Sequence, residues 1–199
     1  MRYRRNDIVE RAVGILDRYG LPDLSMRRIA SELGLQPSAL YHHFASKQEL
    51  LAAVADEVLE RGERPDDTRT DHTGAEWDAR VVALSHELRD AMLAYRDGAE
   101  LVATVHAFGL GTRRPADPIA QAIAAAGVDE SFARVAATTV LHFVFGHVSD
   151  EQTHLQAGSA GAIDTHPLDP RGTDSFDLGL SLIISGIRQH QVTDRSPTI

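Results

Sequence analysis

The sequence contains no cysteine. That absence excludes a disulfide scaffold, a zinc ribbon, a cysteine nucleophile and cysteine-ligated iron–sulfur clusters. No apolar run approaches the ~20 residues that span a bilayer, so no membrane partner is expected. The charged start, Met1-Arg2-Tyr3-Arg4-Arg5-Asn6-Asp7, is not followed by the apolar stretch of a secretory signal. The expected compartment is therefore the cytoplasm. No segment combines period-2 alternation with strand-forming residues, which argues against a sheet. There is no H-E-x-x-H or comparable metal-hydrolase motif. What is present is a 199-residue chain with 43% hydrophobic and 25% charged residues. That is enough apolar material for a core, and length for one ordinary domain or two small ones.

The net charge of −9 argues at first against a polyanionic partner. Its distribution changes the argument. Residues 1–50 carry eight basic and six acidic groups, a balance of +2, whereas residues 51–199 carry −11. A mildly basic head on an acidic body suits nucleic-acid contact by one part of the chain only.

Apolar spacing predicts helices throughout. Ile8, Val9, Ala12, Val13, Ile15, Leu16 and Tyr19 mark a helix over 7–19, with Asn6 as its cap and Gly20 as its stop. Ser25 opens a short helix that ends at Gly34. Pro37 suits the first turn of the next, about 37–43. Ser46-x-x-Glu49 has capping-box spacing and starts a helix to about Arg61. Residues 62–74 are polar and turn-rich and read as a linker. Helical patterns resume at about 75–95, 98–109, 116–126, 130–155 and 175–191, and 156–174 reads as a long loop. The expected fold is all-α with about nine or ten helices. Its segments are a three-helix head at 1–47, a connecting helix at 48–61, the linker at 62–74 and a larger helical domain at 75–199.

Two short helices joined by Gly34-Leu35-Gln36 make a helix-turn-helix, whose second helix fits a major groove. Leu40 and Phe44 belong to its core. Gln36, Pro37, Ser38, Ala39, Tyr41, His42 and His43 remain for the outer face or rim. Gln reads adenine, Ser donates or accepts, and the Ala methyl meets a thymine methyl. Ser25, Arg27 and Arg28 suit phosphates, and Lys47 reaches the flanking backbone. The expected partner is double-stranded operator DNA.

The run from Leu24 to Leu35, followed by Ala39-Leu40-Tyr41-His42-His43-Phe44-Ala45-Ser46-Lys47-Gln48-Glu49-Leu50-Leu51, resembles the DNA-binding domain of the TetR (tetracycline repressor) family. The likeness continues beyond the head. Tyr95-Arg96-Asp97-Gly98-Ala99, Gly111-Thr112-Arg113, His142 to Gly146, Asp150 to His154 and Gly179 to Gly186 resemble the ligand-binding and dimerisation domain of the tetracycline repressors themselves. The resemblance implies a transcriptional repressor that binds a palindromic operator as a homodimer and is released by a small-molecule effector. It implies a four-helix bundle from the 130–155 and 175–191 helices of both subunits. Independently, residues 178–187 are apolar nearly all round, and such a helix must be buried.

The effector implied is not magnesium tetracycline. In tetracycline repressors a histidine beside the Gly-Thr-Arg turn holds the magnesium of the drug chelate, and an acidic residue matching Asp150 holds it through water. Here Gly109 stands where that histidine would be, although His106 lies one helical turn earlier. The drug-anchoring histidine and asparagine fall near Glu63 and Leu84, and the aromatic near Leu88. A pocket that loses its hydrogen-bonding groups loses much affinity. No cofactor is required on this reading, and magnesium enters only with a chelate ligand. Candidate pocket residues are Leu84, Leu88, His106, Phe108, Thr112 and Arg113, followed by Ile119, Ile123, Val135, Thr139, His142 and Phe143. Asp150 and His154 would come from the other subunit.

His147, Asp150 or Glu151, and His154 also share one helical face with metal-competent ligands. That face leaves open a helical metal-dependent enzyme, and the mild +2 head leaves open a dimer without ligand response. The residues favour a regulator without catalysis or a resident metal.

Overall fold

The computed structural model describes residues 3–62, 76–164 and 172–194, the last four by backbone alone. Among them are nine α-helices, one 3₁₀ turn and no strand. The helices are α1 (Arg5–Tyr19), α2 (Met26–Glu32), α3 (Pro37–Leu40), α4 (Lys47–Gly62), α5 (Trp77–Leu93), α6 (Gly98–Ala107), α7 (Ala116–Ala124), α8 (Glu130–Ser159) and α9 (Thr173–Asp194). The chain divides into two compact units. The first holds residues 1–63 and 90–113, the second 64–89 and 114–199. This division differs from the segments expected at 1–47, 48–61 and 75–199, because α6 and the end of α5 join the head.

In the first unit Ile8, Ala12 and Leu16 of α1 are buried with Leu24, Ile29, Leu40, Phe44, Leu50, Val54 and Leu101. Each of these side chains larger than alanine contributes about 1.5–3 kcal/mol over an exposed one. Three starts and stops follow local rules. The Ser25 hydroxyl caps α2 by accepting from the Arg28 amide at 3.2 Å. After α2, Gly34 takes φ +66°, and the Leu35 amide reaches back to the Ala30 carbonyl at 2.8 Å, a Schellman stop. At α4 the Ser46 hydroxyl accepts from Glu49 N–H, while the Glu49 carboxylate accepts from Ala45 N–H, one residue beyond the usual capping box.

Two expectations are corrected. Asn6 does not cap α1, which begins at Arg5; the Asp7 carboxylate accepts from Arg4 N–H at 2.7 Å instead. The third helix is a single turn, 37–40 rather than 37–43, with Tyr41, His42 and His43 in a following turn that leads to buried Phe44.

Both flanks of α6 are fastened within this unit by carboxylates. Asp97, just before α6, accepts from Leu21 N–H at 2.8 Å. Gly20, at φ +85°, leaves room for it, since a Cβ there would lie 2.4 Å from Asp97 Oδ2. Beyond α6, the chain turns at Gly109 and Gly111 into residues 112–113, which bind Asp56 of α4.

In the second unit α7 packs along α8, burying Ile119 and Ile123 with Val140, Leu141 and Val144, and α9 adds Phe176 and Leu180. The Asp129 side chain caps α8 by accepting from the Ser131 and Phe132 amides. The Ser131 hydroxyl first, then these amides, hold that carboxyl below its usual range. The contribution is therefore present at neutral pH and is lost as pH falls through the lowered value. The loop expected at 156–174 starts later, because α8 continues to Ser159 and stops at Gly161 (φ +69°). Residues 165–171 of that loop, and the expected linker beyond Gly62, lie outside the described residues.

Candidate nucleic-acid interface and effector region

The short α3 places its apolar residue inward and its polar residues outward. Leu40 is fully buried, while Gln36, Ser38 and His42 are exposed and Tyr41 is 53% exposed. Pro37, Ala39 and His43 are half-buried at the rim, and Lys47 is exposed at the start of α4. Four of the eleven DNA-contact candidates thus stand clear on one short segment and its following turn. An aromatic residue left half in solvent beside two histidines contributes little to packing here.

The two arginines of α2 differ. Arg27 is exposed. Arg28 is held inside the unit: its guanidinium stacks 3.8 Å from the Tyr19 ring centre, and one terminal nitrogen donates to Asp23 at 2.8 Å. Its Nε lies 3.8 Å from Glu32. Arg28 therefore braces α1 against α2, a role that sequence reasoning missed because Tyr19 and Asp23 lie in neighbouring segments. An open concavity of about 490 Å³ lies here, lined by Pro22, Asp23, Ser25, Arg27, Arg28, Ser31 and Glu32.

The effector candidates fall into both compact units. In the first, His106 is half-buried, Phe108 is 64% exposed, and Thr112 and Arg113 are bound to Asp56. In the second, Leu88, Ile119 and Ile123 are buried and Leu84 is half-buried. Phe143 stacks on Phe176 at 5.5 Å and sits over Gly179, where a Cβ would come within 2.5 Å of its ring. Val135, Thr139, His142 and Asp150 lie exposed on α8.

The face drawn from His147, Asp150 and His154 is divided in the structure. His147 rests among Phe143 and Phe176, at 5.6 and 5.3 Å, whereas Asp150 is exposed. Glu151 is buried and committed to Arg89 of α5, whose Nε donates at 3.0 Å and whose NH2 donates to the other oxygen. Among the described residues no group of three histidines or carboxylates is gathered to hold a metal ion. Nor is any helix there long and apolar enough to cross a membrane.

This combination, a helix-turn-helix head on a separate helical unit, defines a class of DNA-binding regulators. The family model described as bacterial regulatory proteins, tetR family, matches residues 8–54, and the tetracyclin repressor-like C-terminal domain matches residues 70–171. The chain belongs to the TetR family and is a DNA-binding transcriptional regulator. It is 30% identical to the tetracycline repressor protein class A from transposon 1721 of Escherichia coli, over 96% of this chain and 93% of that one. The crystal structure of Mycobacterium smegmatis BioQ matches with a TM-score of 0.85 and 39% identity, covering 95% of this chain and 99% of that one. A structure of BioQ with its natural double-stranded DNA operator matches with a TM-score of 0.79 and 36% identity, covering 94% and 98%.

Proposed function

We propose that the chain is a ligand-released repressor that works in the cytoplasm as a homodimer, without catalysis and without a resident cofactor. The observation that carries this reading is the outward set on the α3 segment: Gln36, Ser38, Tyr41 and His42 stand exposed above buried Leu40 and Phe44. A dimer would set two such segments in successive major grooves, about 34–36 Å apart. Gln36, Ser38, Ala39, Tyr41, His42 and His43 would read bases, with Pro37 starting the segment. Ser25, Arg27 and Lys47 would bind phosphates. Arg28 would serve them by fixing the start of α2.

The bundle face supports the dimer. Leu178 and Leu182 of α9 are 63% and 67% exposed in the single chain, and Val135 of α8 is 66% exposed. Gly146 and Gly186 have nothing within 4 Å of an added Cβ, so another helix could approach closely. An apolar stripe of this kind calls for a partner, and a twofold pairing of the same helices supplies one.

For the effector, Gly109 in place of the metal-binding histidine, together with Leu84 and Leu88, supports an organic molecule other than magnesium tetracycline. A mostly apolar ligand with a few polar groups suits the candidate residues. Footprinting the purified protein on the DNA flanking its own gene tests the reading. A protected, pseudo-palindromic site with half-sites one helical turn apart is expected. Uniform, sequence-independent protection would overturn it.

A further inference from the structure

The main chain of the turn after α6 is held by the Asp56 carboxylate of α4. The Asp56 carboxylate accepts from Thr112 N–H at 2.9 Å, from the Thr112 hydroxyl at 2.8 Å and from Arg113 N–H at 3.0 Å. One turn further along α4, Glu60 pairs with the Arg113 guanidinium at 3.5 Å. Gly111 is required twice over. Its φ is +83°, a left-handed conformation, and a Cβ there would lie 3.0 Å from Asp56 Oδ1 and 3.3 Å from Val105 Cγ1. The turn is thus shaped to bring two main-chain amides onto one carboxylate. The recognition is of backbone, so it depends on Asp56 and Gly111 more than on the side chains at 112 and 113.

The location gives the clasp leverage. α4 begins at Lys47, directly after the reading segment, and Asp56 lies nine residues along it. At 1.5 Å per residue that is an arm of about 13 Å. A sideways shift of about 1 Å at Asp56 therefore tilts α4 by about 4°, and the start of α4 carries the Ser46 and Glu49 cap that fixes the turn after α3. Residues 112–113 are also where the chain leaves the first compact unit.

We propose that Asp56 is a positioning residue for DNA reading: by clasping the 111–113 turn it fixes the tilt of α4, and through α4 the presentation of the 36–43 reading segment. It touches no DNA itself. The proposal rests on the regulator reading above, and its test separates the two.

The test compares the full-length protein with D56A, G111A and E60Q. Two readouts are used: hydrogen exchange without DNA, and anisotropy titrations on the footprinted site and on random duplex. In D56A and G111A, exchange should rise in residues 110–113 and also across 36–62. Affinity for the footprinted site should fall at least 10-fold, with random-duplex affinity within 2-fold. D56N, which keeps one acceptor oxygen, should fall between. E60Q, at an exposed side chain that meets the Arg113 guanidinium rather than the main chain of the turn, should stay within 2-fold of the parent. Exchange changes confined to 110–113, with site affinity intact, would overturn the proposal. So would an equal loss on both duplexes, which marks a general loss of fold. If D56A fails to fold, G111A decides by the same criteria. If the parent itself shows no site preference, the regulator reading fails, and the exchange pattern across 36–62 still decides whether Asp56 controls α4.

Discussion

The two compact units are built with different chemistry. The first is fastened by carboxylates that take main-chain N–H groups across long stretches of sequence, Asp97 to Leu21 and Asp56 to Thr112 and Arg113. In the second, the long-range ties described are between side chains: the buried Arg89–Glu151 pair, and the Phe143, His147 and Phe176 cluster beside it. Their free surfaces differ in the same sense. The first unit leaves Gln36, Ser38, Tyr41 and His42 in solvent on its reading segment, with Phe108 exposed elsewhere; the second leaves Leu178, Leu182 and Val135. Polar edges suit a partner read by hydrogen bonds, and aliphatic stripes suit one recognised by packing. The difference agrees with the proposed function, in which DNA meets one unit and a second copy of the chain meets the other.

That assignment is broken most severely at the apolar stripe. Leu182→Glu should convert the dimer to monomer in sedimentation experiments. Operator affinity should then fall about 10²–10⁴-fold, because the second head no longer binds at high effective concentration. Next comes the buried pair. Arg89→Met leaves Glu151 charged and unpartnered, which should cost about 3–5 kcal/mol in denaturant unfolding. Arg89→Met combined with Glu151→Leu should recover most of that loss, since a buried ion pair gains little over well-packed apolar groups. A smaller and more selective effect is expected at Tyr41→Ala. Operator affinity should drop roughly 10-fold, about the 1–3 kcal/mol of one base-edge contact, with the dimer intact. Smallest is Lys47→Ala, a phosphate contact. Binding should weaken by a similar factor on every sequence, and the salt slope should fall by about 1.

The local signals in the sequence carried far. Ser25, Gly34 and the Ser46–Glu49 spacing located the helix-turn-helix because caps and stops are decided within five residues. The same locality explains the boundaries that shifted. Asn6 is a good cap by type, but Asp7 reaches back to Arg4 N–H and moves the helix start forward. Gly158 and Ser159 read as loop, yet α8 continues through them and ends at the Gly161 stop. What the sequence did not disclose is long-range. Asp56 and Thr112 are 56 residues apart, and Arg89 and Glu151 are 62 apart. No periodicity couples such positions, and Glu151 looked equally able to be a metal ligand. The effector candidates were legible as residue types only. Exposed Val135 and Thr139 and the clasped Thr112 show how differently similar pocket choices are used in the fold.

The charge division, +2 in the first 50 residues against −11 in the rest, leads to the most direct measurement. Titrating the dimer onto its footprinted site and onto random duplex, from about 50 to 200 mM salt, tests whether the head alone meets the phosphates. Steep and similar negative slopes of log K against log salt are expected for both duplexes. A site preference of at least about 10³-fold is expected at physiological salt. A flat salt dependence, or equal affinity for the two duplexes, would contradict the proposed function.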